Sequence, residues 1–318
     1  MMVQLDVENL KVYYLVQKGS VRAVDSVSFS LKEGESLGIV GESGCGKSTL
    51  GLSLIRLVPS PGKVLDGKVK LNGKNILEIK EDEFRKEIRW KRVSMVFQWA
   101  MNALNPVYTV GYQLSEPLIY HYSFSKEKAL EKALQILELV GLKKDIAKRY
   151  PHELSGGMRQ RVIIAMALLL KPEILIADEP TTALDVIVQA NVINLLKKLK
   201  KELGLSIILI THDLAIISEI AEKISIMYAG KIVEFGEADK IYKDPKHPYT
   251  KKLLAAVPRI KAERKIEFIT GMPPDLLNPP KGCRFNPRCP YVMDICKEKE
   301  PEVIFENGNS VSCWLYGK

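Results

Sequence analysis

Apolar and polar residues alternate at the two-residue period of strands in Gln4-Leu5-Asp6-Val7, in Lys11-Val12-Tyr13-Tyr14 and from Ala23 to Leu31. A turn at Glu33-Gly34-Glu35 then leads into the largely apolar run Ser36 to Val40, so an antiparallel β layer feeds a buried core strand. Gly67 to Gly73 reads as a hairpin arm, and Val93 to Phe97 as another core strand ending at Gln98. From Asn105 to Leu154 the period becomes helical: Lys126 to Leu139 sets Ala129, Leu130, Ala133, Leu134, Leu137 and Val140 on one face. A further helix from Ser155 to Leu170 is stopped by Pro172 and Glu173. The buried strand Ile174 to Asp178, a helix from Val188 to Leu203 and the strand Ser206 to Ile210 follow. Strand and helix alternating in this way imply an α/β fold with a doubly wound parallel sheet, whose ligand sits at the carboxyl ends of the strands.

Chemistry gathers at those ends. Gly41-Glu42-Ser43-Gly44-Cys45-Gly46-Lys47-Ser48-Thr49 fits G-x-x-x-x-G-K-[ST] between a strand and a helix, the setting of a loop that binds ATP or GTP phosphates. Its glycines let successive N–H groups face the β-phosphate, Lys47 reaches the β- and γ-phosphates, and Ser48 offers a hydroxyl to Mg²⁺. Leu154-Ser155-Gly156-Gly157-Met158-Arg159-Gln160 opens a second helix, with Ser155 as its cap and two glycines baring backbone donors. Asp178 suits Mg²⁺, the adjacent Glu179 suits a proton from attacking water, and His212 suits the γ-phosphate. Each also has an ordinary alternative, as a helix cap for the acids or a satisfied surface residue for the histidine. Tyr13 or Tyr14 offers a flat ring to a base, and an aromatic at a strand end also packs for its own sake.

Composition changes this picture little. The net charge of +9 admits nucleic acid, lipid headgroups or nucleotide, but the lysines are scattered and interleaved with glutamates, as in Lys297-Glu298-Lys299-Glu300. They read as a solvated surface, and no nucleic-acid partner is expected. The most apolar run, Val162 to Leu170, is closed by Arg161 and Lys171 and falls well short of the ~18 to 20 residues a membrane span needs. The first residues lack a signal-peptide pattern, so a cytosolic chain is expected.

Taken together, these motifs resemble the nucleotide-binding subunits of ABC transporters over roughly residues 1 to 240. The resemblance rests on residues 41 to 49, on Gln98 in Val96-Phe97-Gln98, on the signature at 154 to 160, on Asp178-Glu179, on Ala183-Leu184-Asp185 and on His212. It implies a P-loop NTPase, RecA-like parallel core with an antiparallel β subdomain, a helical signature subdomain over about 100 to 165, and a C-terminal extension over 241 to 318. It also implies ATP and Mg²⁺ as ligands. By the resemblance, Tyr14 is expected to stack on adenine, residues 41 to 49 (Gly41, Ser43, Gly44, Cys45, Gly46, Lys47, Ser48, Thr49) to take the phosphates, and Ser48, Gln98 and Asp178 to hold Mg²⁺. Glu179 is expected as the general base, with His212 and Gln98 assisting. Ser155, Gly156, Gly157 and Gln160 are expected to face ATP held by a second ATPase subunit, a paralogue in head-to-tail arrangement. Two membrane-spanning permease subunits and an extracytoplasmic substrate-binding protein complete the expected assembly, with this chain on the cytoplasmic face of the membrane.

Lys246-His247-Pro248-Tyr249-Thr250, Ala103-Leu104-Asn105-Pro106 and Gly271-Met272-Pro273-Pro274 resemble the oligopeptide, dipeptide and nickel branch of importers, some of whose members carry sugars. Peptide uptake is therefore expected, with oligosaccharide or nickel as alternatives. A soluble ABC-type ATPase is the reading from another class, disfavoured by a single cassette and a short insertion. Cys283, Cys289, Cys296 and Cys313 are separated by gaps of five, six and sixteen residues, unlike the tight C-x-x-C knuckles of structural zinc. Four thiolates on loops suit a [4Fe-4S] cluster, which the resembled branch carries. Zinc, or plain reduced or disulfide-linked cysteines, are the alternatives.

Overall fold

The computed structural model describes residues 2–256, 269–306 and 308–317. Of the extension expected over 241 to 318, residues 257–268, 307 and 318 thus lie outside the described residues. By backbone proximity the chain divides into two compact units, one made of Met1–Leu77 with Leu209–Lys318, the other of Glu78–Ile208. The described strands are β1 (Val3–Val16), β2 (Gly19–Lys32), β3 (Ser36–Val40), β4 (Gly62–Leu71), β5 (Lys74–Asn75) and β6 (Val93–Val96). They continue with β7 (Ile174–Asp178), β8 (Ser206–Thr211), β9 (Lys223–Tyr228), β10 (Lys231–Glu237), β11 (Val303–Glu306) and β12 (Asn309–Ser312).

In the first unit β2, β1, β4 and β5 form an antiparallel sheet in that order. The two alternating stretches expected near the N-terminus are one strand. A register shift between Val7 and Leu10 absorbs the interruption, with Asn9 at φ 48° donating its N–H to Ser28 Oγ (2.8 Å). An inserted residue of this kind keeps the core face continuous, and Leu5, Val7, Leu10 and Val12 are all buried. The same unit carries β11, β12, β10, β9 and β3 side by side, with β3 and β9 parallel and the outer pairs antiparallel. β3 and all but the first residue of β9 are fully enclosed. That is why their sequences are apolar runs and not alternations. The β11–β12 hairpin has no counterpart in the sequence expectations: its period-two signal is four residues long and its tip is polar.

In the second unit β6 and β7 pair in parallel, Val93 against Ile174 and Val96 against Ala177. Its main helices span Val110–Tyr122, Lys126–Leu139, Gly156–Leu168 and Val186–Leu203. Each starts on a side-chain cap, from Thr109, Ser125, Ser155 and Asp185 respectively, so each satisfies one of its orphan N–H groups locally. On helix 126–139 the buried stripe is narrower than expected, formed by Ala129, Ala133 and Leu137 and continued by the expected Val140, buried at the C-cap. Leu130 remains 43% exposed, its methyl at the rim over Gly111. Among the described residues no helix is long and apolar enough to cross a membrane.

Candidate functional site

In the first unit, β3 hands the chain to a loop at 41–46 and then to the helix Lys47–Leu54. That helix begins on Gly46 at φ 104°, with no side chain capping it. The glycines are sterically required: a Cβ on Gly46 would lie 1.9 Å from the Ala23 carbonyl oxygen, and one on Gly41 2.1 Å from that of Met227. A helix end without a side-chain cap leaves backbone N–H groups that suit an anion. Lys47 is 6% exposed and folds back into the loop, its Nζ donating to the carbonyls of Gly41 (2.7 Å) and Glu42 (2.9 Å). Cys45 lies buried beside it with its thiol pKa pushed up by burial, so it is an inert filler whose backbone matters. Tyr14 and Thr49 meet through their hydroxyls at 3.2 Å, which places Tyr14 beside this helix. Tyr13 points elsewhere and donates to Asp25 (2.8 Å), its own pKa pushed up to about 12 by burial and by that carboxylate. His212 follows β8 and is exposed, and the next residue, Asp213, caps the helix Leu214–Ile220.

In the second unit Asp178 ends β7 and is 3% exposed. Glu179 follows in the left-handed region at φ 45°, a strained conformation for a residue with a side chain, and one typical of functional positions. Its Oε2 accepts from Gln98 Nε2 (3.1 Å) and from Thr182 Oγ1 (2.8 Å). The structure thus brings Gln98 to Glu179 across 81 residues of sequence, and adds Thr182, which the sequence reading did not single out. Ser155 caps the helix 156–168, its Oγ accepting from Met158 N–H at 3.4 Å, while Gly156 and Gly157 are half-buried. Gln160, expected to face a partner's nucleotide, is 4% exposed within this chain.

The extension contributes to the first unit's loop in a way no motif announced. Tyr249, from the helix Pro248–Ala255, accepts the Glu42 N–H (2.9 Å) on its hydroxyl. Arg288 grips the Glu42 carboxylate with both terminal nitrogens, at 2.7 and 3.0 Å. Arg284 pairs with Asp25 and also donates to the Ala229 carbonyl. Burial works against the Asp25 charge, but Tyr13, Lys231 and Arg284 outweigh it and hold the carboxyl below its usual range. Phe285 fills the middle, with ring centroids 5.1 Å from Tyr228, 5.5 Å from Tyr249 and 5.7 Å from His247. His247 is enclosed, accepts the Tyr249 N–H on Nδ1 (3.0 Å), and has its pKa pushed down to about 3 by burial.

The iron–sulfur expectation for Cys283, Cys289, Cys296 and Cys313, with zinc as its alternative, is corrected here. Among the described residues no group of three or more His, Cys, Asp or Glu side chains could hold a metal ion. All four are free cysteines. Burial raises the pKa of Cys283 to about 12 and also raises those of Cys289 and Cys313. The segment is held by packing around Phe285 and by the two buried arginines.

Comparison with known proteins agrees with this geometry. Residues 24–182 match the ABC transporter family, and residues 233–296 match the C-terminal region of oligopeptide/dipeptide transporters. The chain is 47% identical over 317 residues to the oligopeptide transport ATP-binding protein AppD of Bacillus subtilis, covering 98% of this chain and 96% of that protein. It is likewise 47% identical over 313 residues to the oligopeptide transport ATP-binding protein OppD of Escherichia coli, covering 98% and 92%. Among solved structures it resembles the dimeric, post-hydrolysis ATP-binding cassette MJ0796 bound to ADP and Pi. That match has TM-score 0.64 at 32% identity and covers 74% of this chain and 98% of that one.

Proposed function

We propose how a chain that belongs to the ATP-binding proteins of ABC transporters, in their oligopeptide and dipeptide branch, does its work. It is the ATP-hydrolysing subunit of a peptide importer, acting with a partner ATPase and with membrane permease subunits. Residues 1–240 form the nucleotide-binding part and 241–318 an extension. The chain works on the cytoplasmic face of the membrane, its partner ATPase is a paralogue, and a substrate-binding protein delivers the peptide.

In the first unit, the loop 41–49 takes the ATP phosphates. Lys47 leaves the carbonyls of Gly41 and Glu42 for the β- and γ-phosphates, and Tyr14 covers the adenine. Each unit carries oxygens suited to Mg²⁺, the Ser48 hydroxyl in the first and those of Asp178 and Gln98 in the second. The ion neutralises phosphate charge when bound. Glu179 accepts the proton of the attacking water, and His212 senses the γ-phosphate. Ser155, Gly156, Gly157 and Gln160 belong to the surface that meets the partner's nucleotide.

The observation that carries the catalytic assignment is the strained Glu179 held by Gln98 and Thr182. A carboxylate fixed in orientation by two donors is placed to accept a proton, and strain there is supported only because neighbours hold it. Replacing Glu179 with Gln keeps both hydrogen bonds feasible and removes the base. Turnover of the assembled ATPase is expected to fall by roughly 10³-fold with ATP affinity kept. Steady-state phosphate release at the wild-type rate in that variant would sink the assignment.

A further inference from the structure

We propose that Arg288 is a positioning residue for the nucleotide site, acting through Glu42 to hold the phosphate loop in its binding shape. This rests on the reading of residues 41–49 as the ATP loop. The backbone N–H, carboxylate and carbonyl of Glu42 are each engaged: the N–H by the Tyr249 hydroxyl (2.9 Å), the carboxylate by Arg288, and the carbonyl by Lys47 Nζ (2.9 Å). Two of those three partners come from the C-terminal extension. The third is the lysine that must swing to the phosphates, so the extension fixes the carbonyl that Lys47 leaves.

Exposed ion pairs contribute little, because water screens them and two long side chains must be ordered. This pair differs in that the Arg288 side chain is only 5% exposed, against 25% for Glu42. Its remaining hydrogen-bonding capacity is taken up by the Thr270 carbonyl on Nε (2.9 Å), the Ile269 carbonyl (3.3 Å) and the Tyr228 hydroxyl (3.3 Å). The guanidinium is therefore a fixed fork presented to the carboxylate, the geometry in which arginine surpasses lysine. The loop it holds is glycine-rich and intrinsically costly to order. Ordering it in advance removes that cost from ATP binding.

The test is a double-mutant cycle on the full chain, read by titrating a fluorescent ATP analogue in Mg²⁺ buffer and by thermal melting. Arg288→Ala is expected to weaken binding about tenfold, with Arg288→Lys in between because the charge stays and the fork is lost. Glu42→Gln should weaken binding similarly, and adding Arg288→Ala to it should change affinity by less than about twofold, since the two act as one unit. Affinity within twofold of wild type for Arg288→Ala, or effects that multiply in the double variant, would overturn the inference. If Arg288→Ala does not fold, the cycle is run with Arg288→Lys, whose smaller loss must likewise vanish in the Glu42→Gln background. Lys47→Ala serves as the separator: unchanged binding there sinks the reading of the loop itself, whereas its loss beside an unaffected Arg288 variant sinks only the positioning role.

Discussion

Two helices in this protein begin on glycines next to sites read as nucleotide-facing, and they begin differently. Helix 47–54 has no side-chain cap, starts from a left-handed glycine, and follows a loop whose Glu42 is bonded to residues far along the chain. Helix 156–168 caps itself with Ser155, at a long 3.4 Å. The first end is shaped by backbone that crowds its glycines, the Met227 carbonyl at Gly41 and the Ala23 carbonyl at Gly46. The second carries a serine whose Oγ accepts one long bond from the Met158 N–H and whose O–H can donate to an incoming ligand. One end takes its shape from its own glycines and distant residues, the other from its own serine.

The sharpest way to break this contrast is to add one methyl group at each end. Gly46→Ala places a Cβ 1.9 Å from backbone and forces a left-handed conformation, whereas Gly157→Ala meets the movable Val188 methyl at 2.8 Å. The first should lose about 100-fold or more in ATP affinity and ~3 kcal/mol of stability, while the second should stay within about 1 kcal/mol. Isothermal titration and denaturant melts of the two variants check this, and equal losses would erase the distinction.

Acid should strike the first end through its remote supports. His247 is buried with its pKa lowered to about 3, so the folded state prefers the neutral ring. Its contribution is complete above the unfolded value of 6.5 and fades as pH falls toward 3. By pH 5 about 2 kcal/mol is lost through this group alone. Nearby Glu234 has its pKa raised by burial, so it gains protons preferentially when folded and opposes the loss at lower pH. Melting temperatures from pH 7.5 to 5 should fall in the wild type and fall less in His247→Asn, which keeps a cap acceptor for the Tyr249 N–H. Parallel curves would show that His247 is not responsible.

The smallest effect is expected at the second end. Ser155→Ala removes a cap worth ~1 kcal/mol, so melting should shift only slightly and ATP affinity of the single subunit should be unchanged. A loss of ATP affinity in that monomer would mean that the two ends are not independent.

How much of this was legible follows the same division. The loop at 41–49, the acids at 178–179 and the signature at 154–160 are contiguous words, each joined to a strand or helix whose periodicity places it. Glu42 was legible only as one of the variable positions of its motif, because its partner is 246 residues away. Thr182 was similarly silent, since a threonine in a turn has no signature of its own. The cysteines show the opposite error. Their count and gaps suggested ligation, but spacing does not report where the side chains lie in space, and among the described residues no metal-holding group of three forms. The long β1 was split in two for want of a signal for the bulge at Asn9, which depends on a serine across the strand pair.

The separation between Glu42 and Arg288 has a consequence in time as well as in space. At about 5–20 residues per second of synthesis, the loop leaves the ribosome roughly 12–50 s before the arginine that braces it. Once His212 has been made every local motif of the cassette already exists, yet the loop still lacks its brace. A chain stopped short of residue 288 would therefore look complete to a motif search and still carry a slack nucleotide loop.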